Sequence, residues 1–163
     1  MALVVVDRRI PARRAQHELV MGGQRVQGLE AGLDSVPEGA GEPLSGAAAD
    51  SYRWHRAPDG GATFATPDGG WVYVSNSEVM DTGGVGALQF AADGRVQQMY
   101  SILGGTSRNC AGGATPWGTW LTCEEVAGGH VWECDPTGRE PARKLPALGT
   151  FKHEAAAVDS RTL

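Results

Sequence analysis

The chain has 163 residues, with 19 acidic against 14 basic side chains and a formal charge of -5. That balance excludes a surface built to hold a nucleic-acid backbone, which needs clustered positive charge, and suits hard cations that bind carboxylate oxygens. No apolar run reaches the roughly 18 residues of a membrane-spanning helix, and the 24 glycines and 9 prolines favour short strands and tight turns over long helices.

Residues 1–50 read as a loop-rich segment. Leu3–Val6 is too short for the core of a signal peptide, and Arg8-Arg9 has no long apolar stretch behind it, so these residues carry no export signal. Pro11 fits the first turn of a short helix that Gly22 would stop. From Tyr52 onward the pattern changes to a strand rhythm. Turn sequences recur at Pro58-Asp59-Gly60-Gly61, Pro67-Asp68-Gly69-Gly70, Ala92-Asp93-Gly94 and Asp135-Pro136-Thr137-Gly138, where Asp and Gly tolerate positive φ. Between them, strands are predicted at 63–65, 71–76, 86–91, 95–102, 117–125, 130–134 and 154–158. Trp71 and Tyr73 share one face of their strand and Val72 and Val74 the other, so both faces are apolar, as in a sheet covered on both sides. A propeller blade is such a sheet. At roughly 40–50 residues per blade, residues 51–163 hold about two to three blades of a larger propeller. The expectation is therefore all-β, an incomplete β-propeller, with a smaller sandwich as the alternative.

The chemistry concentrates in residues 108–125. The first half of that stretch reads as a loop, where Gly112-Gly113 permits close backbone approach, and a strand follows that ends in Glu124-Glu125. Adjacent strand residues face opposite ways, so only one of the two glutamates can serve a given cavity, and Glu125 lies at the strand exit. Cys110, Cys123 and Cys134 form no CxxC pair, against a zinc ribbon; a Cys123–Cys134 disulfide would leave Cys110 free. The plain reading makes Cys110 a small buried hydrophobe and both glutamates solvated. Gly-x-Ser-x-Gly and phosphate-loop motifs are absent.

The run Asn109-Cys110-Ala111-Gly112-Gly113 followed by Thr115-Pro116-Trp117-Gly118-Thr119-Trp120-Leu121-Thr122-Cys123-Glu124-Glu125 resembles the signature of the PhoX-type alkaline phosphatases. The resemblance extends over residues 52–159, through Trp54-His55, 57–64, 71–78 and Phe151-Lys152-His153-Glu154-Ala155. It implies a six-bladed propeller with iron and calcium that hydrolyses phosphate monoesters, in an exported parent protein. By that likeness Cys110 is the iron-binding thiolate, and Glu125 and Glu154 are carboxylate ligands. Asn76 and Glu78 fall where the family shows Asn-His-Glu, with Ser77 replacing the histidine, and are expected at calcium or in support of the ligands. Arg108 either holds a phosphate oxygen or pairs with a surface acid. Trp117 and Trp120 are expected in the core, His55 in a hydrogen bond, His153 beside Glu154, and Asp59 and Asp68 in turns first, with contact to calcium as their second reading. A chain this short is expected to be an inactive fragment that self-associates through its open edges. Two other readings are a non-catalytic propeller for binding or scaffolding, and a calcium propeller hydrolase of another ester, such as a phytate or a lactone.

Overall fold

The computed structural model describes residues 3–6 and 52–159; the helix expected from Pro11 to Gly22 lies outside them. Among the described residues ten strands run in chain order: β1 Leu3–Val6, β2 Pro58–Ala65, β3 Trp71–Ser77, β4 Gly83–Phe90, β5 Val96–Thr106, β6 Asn109–Ala114, β7 Trp120–Glu124, β8 Val131–Cys134, β9 Arg143–Lys144 and β10 Ala155–Val158. The only helical element among the described residues is a 3-10 turn at Pro146–Leu148, so the all-β expectation holds there.

The strands form two antiparallel four-stranded meanders, β2-β3-β4-β5 and β6-β7-β8-β9, and a parallel pair, β1-β10. No closed sheet forms among the described residues. Three Gly-bearing turns fall where the sequence places them. Between β2 and β3, Gly69 takes a φ of 85°, and Asp68 Oδ1 accepts from Thr66 Oγ1 and the Gly70 amide, an arrangement its short side chain favours.

Two segments differ from the sequence reading. Pro58-Asp59-Gly60-Gly61 is not a turn but the start of β2, with a register shift between Pro58 and Gly61. Asn109–Ala114 is not a loop but β6, shifted between Asn109 and Gly112. Both look like turns in sequence because the bulges that interrupt their pairing use the same residue types that make turns. The strand expected from 117 starts only at Trp120, because Thr115 Oγ1 accepts the Thr119 amide and closes a turn around Gly118.

Alternation sorts the side chains into two cores. Val72, Val74, Val85 and Ala87 of the first meander meet Trp120 and Cys134 of the second. The opposite face of the second meander, with Leu121, Cys123 and Val131, packs on Leu145 and on Ala156 of β10. Fully burying an aliphatic side chain of this kind stabilises by about 1.5–3 kcal/mol. Trp120 is in the core as expected. Trp117 is not; it is half-buried outside both clusters, and its Nε1 donates to Glu133 at 2.7 Å. Cys123 pairs in register with Val131, and Cys134 with Trp120, so the two thiols occupy opposite faces of one sheet. All three cysteines are free; the Cys123–Cys134 disulfide is not formed, and strand alternation forbids it.

Candidate metal centre

In an antiparallel pair the first strand begins where the second ends. Asp59 near the start of β2 and Glu78 just past β3 therefore meet at one end of the first meander. Cys110 near the start of β6 and Glu125 just past β7 meet at the matching end of the second. The two ends are built alike. Ala57 and Arg108 each stand two residues before Asp59 and Cys110, each at φ 47°. The Ala57 carbonyl accepts the Glu78 amide at 2.8 Å, and the Arg108 carbonyl accepts the Glu125 amide at 2.9 Å. Bulges follow in both strands. Non-glycine residues at positive φ cost about 1–3 kcal/mol and persist only where the surroundings hold them. The third one described, Asp81 at φ 60°, lies three residues past Glu78 and is fastened to Ser107, whose hydroxyl accepts its amide and donates to its carboxylate.

The bulge of β6 is fixed from behind. Asn76, fully buried, donates both amide protons to the carbonyls of Cys110 and Ala111, at 2.7 and 3.0 Å. Its oxygen accepts Trp120 Nε1 at 2.9 Å. From the sides, the Ala111 amide donates to the Glu154 carbonyl at 3.0 Å, and Gly60 of β2 comes so close that a Cβ there would stand 2.7 Å from Ala111 Cα.

The result is a group of three. Ligand atoms of Asp59, Glu78 and Cys110 all lie within 4.8 Å of one another, close to the spacing of donors that each stand about 2–2.3 Å from one ion. The Cys110 thiol contacts Asp59 Oδ2 at 3.6 Å. Burial pushes that thiol up to about 11, and the charges of Asp59, Glu125 and Glu78 push it the same way. Without a cation the sulfur therefore keeps its proton at neutral pH; a bound cation inverts that electrostatics and displaces the proton. A thiolate with carboxylates is a mixed soft and hard set that fits iron, with oxygens left to suit calcium.

Cations already lie among these acids. Arg108 reaches Glu78 Oε1 at 2.6 Å and Glu125 Oε2 at 3.7 Å, so of its two expected roles the structure shows the pairing with acids. Lys152 Nζ contacts Glu125 Oε1 at 3.0 Å. Hydrogen bonding from Lys152 holds the Glu125 carboxyl below its usual range, with further help from the Lys152 and Arg108 charges.

Of the residues singled out from sequence, Cys110 and Glu78 come together, with Arg108 and Glu125 beside them. Asn76 holds the backbone that carries Cys110. Glu125 and Glu154 fall outside the 4.8 Å group. His153 is fully buried against Phe151, with ring centroids 3.7 Å apart, and its Nε2 faces the Gly149 carbonyl. Glu124 is not solvated: it is buried and accepts the amides of Ser107 and His130 and the indole N–H of Trp132. Ser77 donates to the Arg56 carbonyl, a local backbone role. Sequence reasoning placed Asp59 in a turn first, with calcium only as its second reading, and missed Lys152. The matching Asp-Gly-Gly and Cys-Ala-Gly-Gly starts of β2 and β6 were the available signal.

Described residues that are all-β and gather a thiol and carboxylates at the common end of two meanders define, as a class, a candidate metalloprotein. Residues 61–129 match the family model described as alkaline phosphatase PhoX, so the resemblance read from the sequence stands for that stretch, which contains Glu78, Arg108, Cys110 and Glu125 but not Asp59, Lys152 or Glu154. No curated protein and no solved structure matches the chain.

Proposed function

We propose that the chain carries part of a metal-dependent phosphatase site acting on phosphate monoesters, with Cys110, Asp59 and Glu78 as cation ligands and Glu125, within hydrogen-bonding reach of Cys110, as a further one. The observation that carries this reading is the 4.8 Å group of one thiol and two carboxylates, two members of which lie within the stretch that matches a phosphatase family. Iron is the ion proposed at the sulfur and calcium at the oxygens. Bound cations would supply charge neutralisation of the phosphoryl oxygens. The chain's own residues do the rest: Asn76 and the Glu154 carbonyl hold the cysteine bulge, and Arg108 offers a planar donor fork suited to phosphate. The two meanders packed face to face are proposed as neighbouring propeller blades, with residues 51–163 as one propeller unit and 1–50 as a separate N-terminal segment.

The test is metal content after equilibrium dialysis against iron and calcium. Cys110→Ser is expected to lose iron, and Asp59→Asn to weaken both ions by at least about tenfold. Unchanged metal content in the Cys110→Ser/Asp59→Asn double variant, with the fold intact by circular dichroism, would sink the reading.

A further inference from the structure

Two cationic side chains sit on the carboxylates that a metal would need. Arg108 grips Glu78 at 2.6 Å and lies 3.7 Å from Glu125, whose other oxygen takes Lys152 at 3.0 Å. The backbone aims Lys152 at this place: the amides on either side of it are tied down, Phe151 to the Gly129 carbonyl at 3.2 Å and His153 to the Glu124 carbonyl at 3.1 Å. Its side chain is 61% exposed and that of Arg108 39%, so both heads can swing without disturbing the core.

We propose that Arg108 and Lys152 are exchangeable stand-in cations. While the site is without metal they neutralise Glu78 and Glu125; a divalent cation that takes those carboxylates releases both heads to bind a phosphate-type anion. Cation and anion binding are then positively coupled, and Lys152 carries part of the coupling. The geometry favours this sequence of events. Arg108 and Lys152 hold the same carboxylates that a cation would take, so the heads and the cation compete for them. Once those carboxylates face the metal, the two exposed heads are released and can hold another anion. This inference rests on the metal-site reading above and adds to it a binding order and a residue, Lys152, at the anion.

The experiment uses the 163-residue chain, Mn2+ as the probe cation followed by its free-ion magnetic resonance signal, and inorganic phosphate as the anion. For the unaltered chain, saturating phosphate should tighten Mn2+ binding by about fivefold or more, within the usual range of coupling between two sites. Lys152→Met should bind Mn2+ at least as tightly as the unaltered chain when phosphate is absent, because a competitor is gone, and its phosphate effect should fall below about twofold; Lys152→Arg should restore the effect. A phosphate effect unchanged in Lys152→Met, or weaker Mn2+ binding by that variant without phosphate, overturns the exchange and leaves the metal site standing. Mn2+ binding that is absent, or indifferent to both Cys110→Ser and Asp59→Asn, overturns the metal site and the exchange with it.

Discussion

His55 is an imidazole that the fold keeps uncharged. Its Nδ1 meets the Tyr52 hydroxyl at 3.0 Å and its Nε2 the Ser75 hydroxyl at 3.3 Å, the hydrogen-bonding role expected of it. Burial lowers its pKa to about 4, against a smaller opposing effect of a backbone hydrogen bond at Asn76. In the unfolded chain the ring titrates near 6.5, so a neutral His55 favours the folded state fully above that value, and the contribution is lost as pH falls from about 6.5 toward about 4. Denaturant midpoints of the unaltered chain should therefore drop between pH 7.5 and pH 5 by more than those of His55→Gln, which keeps hydrogen-bonding capacity without titrating. Equal drops would show that the ring is already solvated. The sequence made some of these single-residue roles legible and hid others. Cys110 and Glu78 stood out because a long, Trp-rich signature surrounds the first and the second follows a plain strand. Asp59 was obscured because Pro-Asp-Gly-Gly has the composition of a turn, and a bulge needs that composition too. Lys152 was hidden because its partner, Glu125, lies 27 positions away along the chain and only the fold brings them together.

At the scale of elements, the twin starts of β2 and β6 are the important feature. Each leads from a left-handed residue through a bulge, and each passes its carbonyl to the amide of a glutamate at the end of the next strand. The two bulges touch, and Gly60 is the point of contact. An alanine there would place its Cβ 2.7 Å from Ala111 Cα and 3.0 Å from the Cys110 carbonyl oxygen, backbone atoms that cannot step aside, so β2 and β6 must separate. Gly60→Ala is expected to destabilise by about 1–3 kcal/mol, as overpacking does, and to weaken cation binding. Gly104→Ala, whose Cβ would meet nothing within 4 Å, is the control and should do neither. Melting temperature and Mn2+ affinity measured on the two variants decide it; equal effects would mean that the bulge contact does not position the site. This contact was beyond the reach of periodicity. Strand rhythm revealed β3, β4, β5, β8 and β10 to within a few residues, because each is a β-prone run set off by recognisable turn residues, even though register shifts interrupt the pairing of β4 with β5. It failed at β2 and β6, where register shifts break the alternation at the very residues that carry the site.

Across the whole molecule, order is passed from one layer to the next. The first core joins the two meanders, the second joins the later meander to β10, and β10 is paired in parallel with β1, Leu3 opposite Ala155 through Val6 opposite Val158. Because the Glu154 carbonyl at the head of β10 accepts the Ala111 amide, β1 supports the cysteine bulge at one remove. Removing residues 1–6 should speed amide hydrogen exchange at 155–158 and, more weakly, at Ala111, while leaving β3 and β4 protected. Unchanged exchange at 155–158 would mean that β1 contributes no protection. The all-β class was legible from turn spacing alone, whereas the parallel pairing of β1 was not, since four apolar residues at one end of a chain say nothing of a partner some 150 positions away. The placement of the cysteines has its own consequence. Two of the sulfurs sit back to back across a single sheet, each sealed in a different hydrocarbon layer, so an oxidant cannot couple them to one another. Among the three thiols, the one within reach of solvent is the half-buried sulfur among the acids.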